Sequence, residues 1–97
     1  MPLFRYRWAA GALERVLANH VPVAAVFFVL DLGSPVFQRY LGANLMQYTA
    51  ADDRGSLLLV TLIETAADDL YEIQTARYLD DEESAAARMF LTREEDQ

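Results

Sequence analysis

Leu57-Leu58-Leu59-Val60-Thr61-Leu62-Ile63-Glu64-Thr65 decides the fold. Nine residues this apolar read as a central strand. Just before it, Asp52-Asp53-Arg54-Gly55 is a strong hairpin signal, since Asp and Gly supply the backbone angles of a tight turn. On its far side, Ala67-Asp68-Asp69 turns the chain again, and Leu70 to Ala76 alternates around Tyr71, Ile73 and Thr75 as a last strand.

Upstream, Val36 to Leu41 and Leu45 to Ala50 read as two more strands around a Gly42-Ala43-Asn44 turn, after a loop at Asp31-Leu32-Gly33-Ser34-Pro35. Together these segments make a four-stranded antiparallel meander. At the start of the chain Phe4, Tyr6 and Trp8 share one face and Arg5 and Arg7 the other, the signature of a half-buried strand with an aromatic inner side. The period then changes: Ala9, Leu13, Val16 and Leu17 fall at helical spacing, in a helix ending near Asn19-His20. Pro22 suits the first turn of a second helix, yet the β-branched and aromatic run Val23 to Leu30 suits a strand equally well. At the other end, Asp80-Asp81-Glu82-Glu83 opens a helix that runs through Leu91, with its acids at the positive end of the helix dipole. Thr92 to Gln97 is polar and expected to fray. The expectation is a single α+β domain over 1–97, with helices against a mostly antiparallel sheet.

Composition narrows the function. The 97 residues suffice for one modest core. The longest apolar run, Val21 to Leu30, is about half of what a membrane span requires. No signal peptide is read at the N-terminus, so a cytoplasmic location is expected. With no cysteine and a single histidine, neither a thiolate zinc site nor a multi-histidine metal site is expected, and no cofactor is implied. Charge is unevenly divided. Residues 1–51 carry four arginines against two acids, and residues 52–97 four against thirteen. A net charge of −7 disfavours RNA on average unless arginines cluster locally.

Arg77 stands at the end of the last apolar strand, where a guanidinium can hold a phosphate through two hydrogen bonds. The alternative reading is an ion pair to Asp81 or Glu83. Arg39, Arg54 and Arg88 are candidates to join it on a substrate. His20 is either a helix-terminus residue or a general base, a role imidazole suits near neutral pH.

Both ends of the chain carry a resemblance. Phe4-Arg5-Tyr6-Arg7-Trp8, followed by Ala12 to Val21 with its closing Asn19-His20-Val21, resembles the opening of BrnT-like toxins. Those have an aromatic strand, a helix ending in a His-Gly-Val stretch, and a second helix. Asp53 to Val60 resembles the family's hairpin into its central strand, and Tyr71 to Arg77 its strand ending in Ser-Ala-Arg. The resemblance spans about residues 4–90 and implies a RelE-like fold, with 22–31 as the second of two N-terminal helices. It implies a metal-independent endoribonuclease that arrests translation in a bacterial type II toxin-antitoxin system. Its partner would be an antitoxin-like protein or a second copy. Carried over residue by residue, Arg77 takes the strand-end arginine, Glu83 the helix glutamate, Arg54 the hairpin position and His20 the helix end. Departures from the family point elsewhere. The last helix is acidic rather than basic, the glycine after the histidine is absent, and Phe27 and Phe28 replace charged residues on the second helix. An apolar helix needs cover, so Phe27 and Phe28 are candidates for partner binding, with ordinary core as the rival. A catalytically inactive interaction module and an acidic nucleic-acid mimic remain as alternative functions.

Overall fold

The computed structural model describes residues 5–31, 35–42, 44–66 and 70–95, and within 35–41 and 90–95 the backbone alone. Element order is β1 (Arg5–Trp8), α1 (Ala12–Ala18), α2 (Val23–Asp31), β2 (Pro35–Gly42), β3 (Leu45–Ala51), β4 (Leu57–Glu64), β5 (Leu70–Tyr78) and α3 (Asp81–Glu95). The five strands form one sheet in the order β1-β5-β4-β3-β2. The expected loop at 32–34, Ala43 of the β2–β3 turn, the Ala67-Asp68-Asp69 turn and Phe4 lie outside the described residues. Helix α3 continues through Glu95, into the stretch read as a fraying tail.

The central strand is where the sequence placed it. Leu58, Val60 and Leu62 of β4 point to one face and are fully buried, beside Met46 and Ala50 of β3 and Ile73 and Ala76 of β5. Val16 and Val21 from the first helix and its end, with Ala25, Val26 and Val29 of α2, close the core over that face. Burial overrides strand propensity in the ambiguous segment: Val23 to Asp31 is helical, and Pro22 sits just ahead of its first turn, its carbonyl accepting from Ala25 N–H at 3.0 Å. No single helix among the described residues is long and apolar enough to cross a membrane.

Two features add to or depart from the expectation. First, within a mostly antiparallel sheet, β1 lies parallel to β5 with Arg5 opposite Leu70 and Trp8 opposite Ile73. More than half of the chain separates these strands, so no hairpin dictates their direction, and periodicity carries no information about it. Second, Thr75 does not continue the inner face of Tyr71 and Ile73. Thr61 pairs with Thr75 but Leu62 with Ile73, so Gln74 is an extra residue in β5. Such a bulge shifts the alternation by one. Beyond it Ala76 and Tyr78 face the core, while Thr75 and Arg77 face away.

Helix α1 holds that bulge. β1 stops at Ile73, leaving the carbonyls of the second half of β5 without a strand beside them. Arg15 donates Nε (3.2 Å) and Nη2 (2.9 Å) to the carbonyl of Gln74, and Asn19 Nδ2 donates to that of Ala76 at 3.0 Å. The spacing matches: four helical residues advance about 6 Å and two strand residues about 6.8 Å, so one helix face meets alternate carbonyls.

Candidate functional site

The end of α1, the β3–β4 hairpin and the β5–α3 junction border a cleft of about 650 Å³. Its charged and polar lining comes from three places: His20 at the end of α1, Asp52, Arg54 and Ser56 of the β3–β4 hairpin, and Asp81, Ser84 and Arg88 of α3. Tyr78 forms part of the wall from β5. Asp81, Ser84, Ala85 and Arg88 follow helical spacing, so one face of α3 borders the cleft.

His20 is placed by the way α1 stops. The residue has φ 60°, the left-handed conformation. His20 N–H donates to the Leu17 carbonyl at 3.0 Å and Val21 N–H to the Val16 carbonyl at 3.2 Å, while Val16 and Val21 are both buried. This is a Schellman termination with its hydrophobic contact, at a position usually taken by glycine. His20 itself therefore takes the left-handed position of this motif.

The hairpin is a three-residue loop with Gly55 in the left-handed conformation (φ 84°). Asp52 N–H donates to the Ser56 carbonyl at 2.9 Å and Gly55 N–H to the Asp52 carbonyl at 3.1 Å. The Asp52 carboxylate, 6% exposed with the rest of its residue, accepts from the N–H groups of Arg54 and Ser56 (2.9 Å each) and from Tyr78 Oη (2.7 Å). Burial alone would raise its pKa. The hydrogen bonds from Tyr78, Ser56 and Arg54, with the Arg54 charge, outweigh burial and bring it below the usual value. Burial and the Asp52 carboxylate push the Tyr78 phenol up to about 12, so it stays a hydrogen-bond donor. Arg54 is exposed and forms no ion pair with a described residue. Arg88 Nη2 donates to the Gly55 carbonyl at 3.0 Å.

Arg77 and Glu83 stand apart from this cleft. Arg77 is the next-to-last residue of β5, opposite Leu59, on the face away from the core. Its Nη1 and Nη2 donate to Glu83 Oε1 and Oε2 at 2.8 and 2.9 Å. Glu83 Oε1 also accepts from Asp80 N–H (3.1 Å), and Asp80 Oδ1 from Glu83 N–H (2.8 Å), a capping box that starts α3. The Arg77 hydrogen bonds and that backbone donor hold Glu83 at about 2. A carboxyl so acidic cannot deliver a proton near neutral pH, and it is a weak base.

The remaining candidates are placed as follows. Arg39 lies in β2, paired with Gln47, and its side chain falls outside the described residues. Phe27 and Phe28 are half-buried against the chain's own core, Phe27 meeting Trp8 edge-on at 5.8 Å between ring centres. No group of three histidine and acidic side chains among the described residues could hold a metal ion.

The structure thus brings His20, Arg54 and Arg88 to one cleft and pairs Arg77 with Glu83 beside it. Sequence reasoning missed Asp52 and Tyr78. Asp52 carried a signal, an aspartate at the first position of a turn, where its side chain meets the backbone two residues on. Tyr78 carried none. No protein-family model matches this sequence, and a search of curated proteins finds no match.

Proposed function

We propose that this chain is a BrnT-like toxin of the RelE-like superfamily, an RNA-directed ribonuclease-type domain restrained by an antitoxin-like protein partner. The gathering of His20, Arg54 and Arg88 around one cleft supports this reading most. Arg54 and Arg88 would hold the scissile phosphate and its developing charge, and His20 would move a proton. The 2′-hydroxyl oxygen bonds to phosphorus as the bond to the 5′-oxygen breaks. One proton leaves the 2′-oxygen and one reaches the 5′-oxygen. Arg77 and Glu83 take a supporting role, fixing the start of α3 from which Arg88 projects.

The test is cleavage of single-stranded RNA by the purified chain, together with growth on induced expression. Arg54→Ala and Arg88→Ala should each lower cleavage by roughly a hundredfold, the scale of losing one charge-stabilising donor. Harmless expression and uncut RNA would reject the reading.

A second reading, an inactive interaction module, is favoured by the closed Arg77–Glu83 pair and the net charge of −7. It requires a stable protein complex that survives Arg54→Ala and Arg88→Ala unchanged.

A further inference from the structure

The cleft's two arginines depend on one short loop, and that loop depends on one carboxylate. Asp52 Oδ1 fixes the backbone of Arg54 and Ser56, and Gly55, between them, supplies the carbonyl that receives Arg88. Tyr78 Oη is the described donor to Oδ2. Its ring packs against the buried core, so its hydroxyl is held where the carboxylate needs it. The contact joins residues 26 apart in sequence and ties the hairpin to the end of β5.

We infer that Tyr78 is a positioning residue. By holding Asp52, it sets the 52–56 loop in the conformation that presents Arg54 and anchors Arg88 at the cleft. The consequence for ligand binding rests on the proposed reading of the cleft as a phosphate site, whereas the ordering of the loop does not. Loss of the hydroxyl leaves a nearly buried carboxylate oxygen without its donor, and the two loop N–H groups then hold a less fixed acceptor.

Tyr78→Phe removes the hydroxyl and keeps the ring. In the ligand-free full-length chain, amide hydrogen exchange at Arg54 and Ser56 should quicken roughly tenfold, the scale of one hydrogen bond to a charged group, while Val60 and Leu62 stay protected. Binding of a short single-stranded RNA oligonucleotide should weaken about fivefold in the parent chain. It should weaken less in an Arg54→Ala background, because part of the effect of Tyr78 passes through Arg54. Asp52→Asn, which keeps the shape and weakens the acceptor, should loosen the same two amides. It decides the matter should Tyr78→Phe not fold. Unchanged protection at Arg54 and Ser56 would overturn the inference, as would losses from Tyr78→Phe and Arg54→Ala that simply multiply. Loosened amides in a chain that binds no oligonucleotide would support the relay and reject the cleft as a phosphate site.

Discussion

Arg77 and Glu83 face each other across two parallel hydrogen bonds of 2.8 and 2.9 Å, guanidinium fork to carboxylate fork. This is the geometry with which an arginine would receive a phosphate. The chain's own carboxylate fills it. Glu83 is also the third residue of α3 and closes its capping box, so one side chain satisfies the helix start and closes the arginine. The pair thereby joins the end of β5 to the first turn of α3, and through α3 sets where Arg88 enters the cleft.

Acid should release this clamp late. Glu83 titrates at about 2 in the folded chain against an ordinary 4.5. A carboxyl depressed on folding stabilises fully above its ordinary value and loses that contribution as pH falls toward the folded one. The window is therefore about 4.5 down to about 2. Carbon-detected NMR of the glutamate carboxyls should show Glu83 titrating well below the others in the parent chain and moving back toward them in Arg77→Ala, where only the Asp80 contacts still hold it down. If Glu83 titrates with the rest in the parent chain, the clamp is absent in solution.

Arg15 should matter to a strand it never joins. Its two donors to the Gln74 carbonyl hold the bulge that turns Arg77 away from the core. Arg15→Ala should lower stability by about 1 kcal/mol, the net worth of a partly solvated charged contact. Exchange should also quicken along β5 near Thr75 and Ala76. Denaturant unfolding with no change in midpoint would show that the bulge persists without α1.

Local chemistry made much of this fold readable. Asp52-Asp53-Arg54-Gly55 announces its hairpin because Asp and Gly act on the backbone within a few residues, and the acids Asp80 to Glu83 announce a helix start because they suit the positive end of its dipole. Gln74 announces nothing. Its bulge arises from the registers of β4 and β5 and from an arginine on another element. Without that extra residue, Arg77 would share the face of Ile73 and point into the core. The parallel pairing of β1 with β5 and the contact of Tyr78 with Asp52 are likewise long-range. Residue types alone therefore nominated His20, Arg54 and Arg88 but could not separate them from Arg77 and Glu83.

Thr49 offers a gain in stability. It is fully buried, and its Oγ1 has no hydrogen-bond partner among the described residues. It lies in register with Leu59 on the side of the sheet away from the main core. An unsatisfied buried hydroxyl costs about 1–3 kcal/mol, so Thr49→Val, of nearly equal shape, should raise the unfolding free energy by about 1 kcal/mol. A lower denaturation midpoint for this variant would mean that the hydroxyl has a partner in solution.

His20 separates structure from catalysis most sharply, since its backbone and its imidazole make opposite predictions. The left-handed conformation at the end of α1 strains a residue with a side chain and leaves glycine unstrained. His20→Gly should therefore stabilise the chain by about 1 kcal/mol. The same change removes the one imidazole from the cleft. If His20 moves a proton during RNA cleavage, the variant should melt higher and cut at least about a hundredfold more slowly, the usual contribution of a general acid–base group. His20→Asn refines the comparison, because asparagine tolerates the left-handed conformation but carries no proton-transfer group near neutral pH. Full cleavage by the glycine variant would leave His20 as a helix terminator alone and transfer the proton step to another group lining the cleft.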